Sequence, residues 1–196
     1  MARMQDIKQL RALTGAGMLD VKNTLEETDG DIGKAAQLLR ERGIAKAAKK
    51  SNREVSEGFV GSYVHHNGKV ATLVALNSET DFVARNENFQ ELARNLAIHV
   101  AMANPSYLRR EDVPEDIVNA ERETLRRQVI EEGRPEQVAD RIVDGRLNKF
   151  YEEQVFLEQP YIKDEKKTIE QLIKEAIATL GENIQIGSFS RVTIGE

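Results

Sequence analysis

The sequence predicts an α+β protein: an N-terminal three-helix domain, a linker helix, then an α+β core with an antiparallel sheet packed by helices. Three observations predict it. Apolar residues recur at helical spacing in three short stretches before Gly43. Two alternating, β-branched runs then flank Asn67-Gly68, the strongest short-range hairpin signal. After them come further helical stripes and one long strand pattern at the C-terminal end. The basic run ending at Arg53 sets the boundary, giving a helical domain at 1–53 and an α+β core and dimerisation domain at 54–196.

In the first helix Met4, Ile7 and Leu10 recur at spacing three, and Thr14-Gly15 stops it. Met18, Val21 and Leu25 mark the second, which Thr28-Asp29-Gly30 breaks. Asp31 is a good N-cap for the third, whose stripe is Ile32, Ala35, Ala36 and Leu39, with Gly43 as its terminating residue. So small a core is marginal alone. Ile44 to Arg53 is alanine-rich and basic and reads as a helical linker. Lys46, Lys49, Lys50 and Arg53 without an interleaved aromatic read as a solvated face rather than an RNA-binding one.

The hairpin spans 58–77. A two-residue Asn67-Gly68 loop sets His66 opposite Lys69, Tyr63 opposite Thr72 and Phe59 opposite Leu76. Both faces are then largely apolar, which predicts a hairpin covered on both sides. His65 and His66 are neighbours on a strand and would point to opposite faces, so no shared metal ion is expected. Residues 86–103 follow as an amphipathic helix with Phe89, Leu92, Ala93, Leu96, Val100 and Ala103 inward, ended by Asn104-Pro105. His99 lies close to that stripe.

Asp112-Val113-Pro114-Glu115 opens a helix to Glu132, and Gly133-Arg134-Pro135 breaks it. The next helix, from Glu136 to Phe150, carries Val138, Ile142 and Leu147 on one side. Val155-Phe156-Leu157 reads as a short strand. Thr168 caps a helix with Ile169, Leu172, Ile173, Ala176, Ile177 and Leu180 inward, and Gly181 ends it. Asn183 to Ile194 is the last strand, with a bulge at Gly187.

Composition bounds the function. The chain has 196 residues, 40% apolar and 31% charged, with a net charge of −5 that gives no global pull toward nucleic acid or membrane. Cysteine is absent, which removes disulfides, thiolate nucleophiles and cysteine-ligated zinc. The start, MARMQDIKQL, lacks a signal-peptide core, and no run approaches the roughly 18 apolar residues of a membrane span. The expected location is cytoplasmic, with no cofactor, no metal and no direct nucleic-acid partner.

The most informative run is Asn77-Ser78-Glu79-Thr80-Asp81-Phe82-Val83-Ala84-Arg85-Asn86, which begins where the hairpin stops. It closely resembles the signature of bacterial elongation factor Ts. Leu10 to Leu25, L-R-A-L-T-G-A-G-M-L-D-V-K-N-T-L, resembles that family's N-terminal domain, which implies a ubiquitin-associated-like fold. G-R-L-N-K-F-Y-E-E and L-E-Q-P-Y-I-K-D match in order and spacing, so the likeness covers essentially the whole chain. The chain is short for the family, and no helical coiled-coil insertion is expected in it. A reduced core leaves sheet uncovered, so a non-covalent homodimer is expected.

The resemblance implies a guanine-nucleotide exchange factor that ejects GDP from elongation factor Tu during translation. The family's T-D-F-V element acts near the partner's Mg²⁺ and helps dislodge it; here it is Thr80, Asp81, Phe82 and Val83. Phe82 would be the wedge, Asp81 would hold the element or disturb the ion, Thr80 would cap the following turn and Val83 would pack. Further partner contacts are expected at Met18, Asp20, Arg85, Asn86 and His99. By residue type alone, Phe82 and Val83 read rather as part of this protein's own core, with Asp81 as a helix cap; the ten-residue match reverses that reading. The rival readings are an enzyme pairing Glu79 with Asp81, which lacks any nucleophile or phosphate loop beside it, an RNA-binding accessory protein, and a non-catalytic helical adaptor.

Overall fold

A computed structural model describes residues 3–195, with the side chains of Glu136 and Gln137 left out of the description. Among the described residues the chain forms eight α-helices and five strands: α1 (Met4–Thr14), α2 (Met18–Glu27), α3 (Ile32–Ala48), β1 (Glu57–Val64), β2 (Val70–Ser78), α4 (Asp81–Ala84), α5 (Glu87–Ala103), α6 (Glu115–Glu131), α7 (Glu136–Gln154), β3 (Pro160–Tyr161), β4 (Asp164–Thr168), α8 (Ile169–Leu180) and β5 (Ile184–Thr193). The α+β class holds. The hairpin and the C-terminal strand form an antiparallel sheet in the order β1-β2-β5, and β3-β4 form a second, smaller one. No described helix is long and apolar enough to cross a membrane.

Two compact units divide the chain. The first takes residues up to Gly61, then Ala75–Arg94 and Gln171–Gly187. The second takes Ser62–Val74, Asn95–Glu170 and the residues from Ser188 on.

In the first unit α1, α2 and α3 pack around Ile7, Leu10, Val21, Leu25, Ala35 and Leu39. Met4, in the first turn of α1, is exposed and lies outside this core. Gly15 ends α1 with φ at 65°, a conformation that costs glycine nothing. Asp31 caps α3 by accepting from the Lys34 N–H at 3.0 Å, and that bond holds its carboxyl below the usual range. Gly43 does not terminate α3. The helix runs on through the alanine-rich stretch to Ala48, and Gly43 is buried inside it. A Cβ there would fall 2.9 Å from the Ala178 Cβ, so glycine lets α3 approach α8.

The hairpin turn is also built differently. The His65 N–H donates to the Val70 carbonyl at 2.8 Å, which fits the expected register, but the loop between them holds four residues. Gly68 donates to the His65 carbonyl and alone takes positive φ, while the Asn67 side chain accepts from the Lys69 N–H. The strand therefore ends before the histidines. Instead of opposing each other, the His65 and His66 rings lie 4.2 Å apart, and Tyr63 Oη meets His65 Nδ1 at 2.9 Å.

The sheet is covered on one face only, against the expectation of two. Thr72, Val74, Leu76 and Ser78 are buried, whereas Val60, Val64, Leu73, Val192 and Ile194 are exposed. Along β5 the covered positions change phase between Ile186 and Phe189, as an extra residue at Gly187 requires.

In the second unit α6 and α7, the two helices expected on either side of Gly133-Arg134-Pro135, pack as an antiparallel pair. Its core is Leu125, Val129, Ala139, Val143, Leu147 and Tyr151. On α7 Leu147 points inward as expected and Ile142 packs against the core, but Val138 is exposed, and Ala139 and Val143 supply the rest of the buried stripe. Residues 155–157 are not a strand; Phe156–Glu158 form a 3-10 turn, and Val155 makes a single parallel bridge with Tyr107.

Candidate functional site

β2 is a buried central strand, and the chain leaves it after Ser78. The next six residues make a sharp corner. Ser78 Oγ donates to the Thr80 carbonyl at 3.0 Å, and the Ala84 N–H donates to the same carbonyl at 3.2 Å, closing the four-residue α4. Arg85 N–H donates to the Asp81 carbonyl at 3.0 Å, and Asn86 Oδ1 caps the start of α5 by accepting from the Asn88 N–H at 2.9 Å. Two helical ends and a strand end therefore fix the backbone on either side of residues 81–84.

Phe82 is 83% exposed. A phenylalanine in so short an element would ordinarily turn inward, since burial is worth about 1.5–3 kcal/mol. Here Ala84 supplies the inward anchor and Val83 is half-buried, while the helical geometry of α4 turns Phe82 outward. Asp81 pairs with Arg85 one turn on at 3.0 Å, an exposed ion pair of small energy.

Thr80 sits at the N-cap position of α4, yet its side chain does not cap the helix. Its hydroxyl donates instead to Glu182 Oε1 at 2.6 Å, and its N–H donates to Glu182 Oε2 at 3.0 Å. Glu79 accepts from the Asn183 N–H at 2.6 Å and pairs with Arg53 at 3.4 Å. Glu79 and Asp81 thus serve different partners and are not a carboxylate pair.

The other sequence candidates separate. Met18 and Asp20 are exposed on α2, where Asp20 accepts from Lys46 at 2.9 Å. Arg85 and Asn86 are exposed. His99 is fully buried in the second unit, which leaves it no surface for a partner. Its ring stacks on Phe156, the Ile162 N–H donates to Nδ1 at 3.3 Å, and Nε2 meets Gln159 Oε1 at 2.9 Å. This network makes Nε2 the protonated nitrogen, and burial holds the ring below the usual histidine range. Among the described residues, no group of three or more His, Asp or Glu is arranged to hold a metal ion.

Within the basic linker, Lys46 pairs with Asp20, Lys50 donates to the Gly181 carbonyl at 2.5 Å and Arg53 pairs with Glu79. Glu182 and Asn183 had no signal in the sequence. They follow α8 as an ordinary Gly-Glu-Asn helix exit, and their partners Thr80 and Glu79 lie more than 100 residues away in the chain.

Comparison with known proteins finds matches over the full length of the sequence. A family model described as elongation factor Ts covers residues 1–196. Similar curated proteins include the elongation factor Ts of Thermosipho melanesiensis, 53% identical over 190 residues that make up 97% of each chain. The elongation factor Ts of Fervidobacterium nodosum is 49% identical over 192 residues, 98% of each chain. That of Caldanaerobacter subterraneus subsp. tengcongensis is 50% identical over 196 residues, 100% of this chain and 98% of the relative. With half the residues shared from end to end, the chain belongs to the elongation factor Ts family of translation factors.

Proposed function

We propose that this chain is a guanine-nucleotide exchange factor, acting in the cytoplasm, that speeds GDP release from elongation factor Tu by intrusion of residues 80–83 near the partner's Mg²⁺ and GDP. It makes and breaks no covalent bond. An exchange factor binds the empty GTPase better than the loaded one, and linkage then obliges it to weaken nucleotide binding by the same factor. The coupling must come from contacts available in one state only.

The exposed Phe82 ring carries this reading. Burying it in a partner pocket is worth about 1.5–3 kcal/mol, the size of a typical coupling free energy of about 1–3 kcal/mol. The Asp81–Arg85 pair favours a role for Asp81 in holding the element rather than in touching the ion. The N-terminal helical bundle, read as the family's ubiquitin-associated-like domain, would add contacts through Met18 and Asp20. The exposed apolar sheet face supports a non-covalent homodimer.

The test is release of a fluorescent GDP analogue from purified elongation factor Tu. Adding the wild-type chain should speed release, and Phe82→Ala should blunt the acceleration. A variant as active as wild type would refute the wedge. Binding to elongation factor Tu with no change in release would favour the adaptor reading.

A further inference from the structure

We propose that Glu79 and Glu182 form a crossed carboxylate clasp that sets the position of Phe82, and that Asn183 ties this clasp to the segment leaving α3. The proposal rests on the exchange reading above and names positioning residues for it.

β2 and β5 are sheet neighbours, but their ladder stops at Ser78 and Ile184. Just past those ends the N–H groups of Thr80 and Asn183 still need acceptors. Each is met by a carboxylate from the opposite segment. Glu182 takes the N–H and hydroxyl of Thr80 at 3.0 and 2.6 Å, and Glu79 takes the N–H of Asn183 at 2.6 Å. Charged acceptors make these bonds about twice as strong as neutral ones, and all four residues are at least half-buried.

The linker closes the arrangement. Asn183 is buried, and its amide donates to the Arg53 carbonyl at 2.7 Å and the Ser51 carbonyl at 3.3 Å. Gln185 donates to the same Ser51 carbonyl at 3.0 Å. Because Arg53 in turn pairs with Glu79, residues 53, 79 and 183 form a closed ring of polar contacts.

α4 has only four residues and one exposed ion pair, too little to hold a helix by itself. The Phe82 ring, being exposed, adds almost no packing of its own. The aim of the wedge must come from its flanks: Ala84 on one side and the doubly bonded Thr80 on the other. A wedge fixed before encounter spends none of its binding free energy on ordering, whereas a loose one does.

Full-length Glu182→Ala should accelerate release of the GDP analogue from elongation factor Tu about tenfold less than wild type. Glu182→Gln, which keeps one acceptor, should recover part of the loss. Amide hydrogen exchange should quicken at residues 80–85 and not in α5. In a Phe82→Ala background Glu182→Ala should cost less than twofold, because the clasp acts through that ring. Full activity of Glu182→Ala, or the same fold loss in both backgrounds, overturns the proposal. Should Glu182→Ala fail to fold, Thr80→Val removes only the hydroxyl donor; its loss must likewise vanish beside Phe82→Ala, or the clasp falls. A wild type that does not speed release overturns the exchange reading itself, and the clasp's role with it.

Discussion

Gly61 of β1 and Ala93 of α5 meet backbone to backbone: a Cβ on Gly61 would lie 2.2 Å from the Ala93 carbonyl oxygen. No rotamer change relieves a clash with a carbonyl, so the strand and helix would have to separate. Gly61→Ala should therefore lower stability by about 3 kcal/mol, the upper range for overpacking. Urea unfolding measures it, and a change under about 0.5 kcal/mol, the size of an ordinary surface effect, would remove Gly61 from the role of spacer.

Two phenylalanines seven residues apart should behave oppositely. Phe89 is fully buried on α5 and Phe82 is exposed on α4. Phe89→Ala should cost about 3–5 kcal/mol as a cavity in a packed core, while Phe82→Ala should stay within about 0.5 kcal/mol of wild type. Thermal melting of the two variants separates a surface ring from a structural one, independently of any exchange assay. A large loss for Phe82→Ala would mean that the ring is part of the fold.

Much of this architecture was legible in the sequence, and the gaps have physical causes. Alternation and Asn67-Gly68 announced the hairpin, but turn chemistry could not say which of the two residues takes positive φ. Apolar residues on both strand faces concealed the uncovered one, because the backbone-to-backbone docking of α5 at Gly61, a long-range fact, decides which face is shielded. Gly43 looked like a helix end for the same reason: a glycine chosen for close approach and one chosen for termination read alike. Phe82 was identified by family likeness, since residue type alone favoured the core. Glu182 was invisible, because its role exists only through Thr80, 102 positions earlier in the chain.

His99 gives stability a pH dependence. Desolvation by burial lowers its folded pKa below the ordinary 6.5, and the bond to Gln159 only partly opposes this. As pH falls through 6.5 the unfolded chain takes up the proton first, so the contribution is complete above that value and is lost between 6.5 and the lower folded value. Protonation would also set a ring N–H against the Ile162 N–H. Within that window stability should fall by up to about 1.4 kcal/mol per pH unit. Urea midpoints measured between neutral and mildly acidic pH test this, and His99→Gln should flatten the dependence. An equal slope in the variant would assign the acid sensitivity to other groups.

The uncovered sheet face bears on self-association. By strand alternation Val64, Leu73, Val192 and Ile194 share one side of β1-β2-β5, and all are exposed. An apolar sheet face left in water is normally an interaction surface, and a second copy offers the same residues across a two-fold axis, as an isologous interface requires. With no cysteine such an association would be non-covalent and would depend on concentration. Sedimentation equilibrium should give a dimer for the wild type. Leu73→Glu at the centre and Val192→Lys on β5 should each shift it to monomer with the melting transition of the monomer preserved. A wild type that stays monomeric at every concentration tested, or variants that dimerise as well as it does, would assign the contact to another surface.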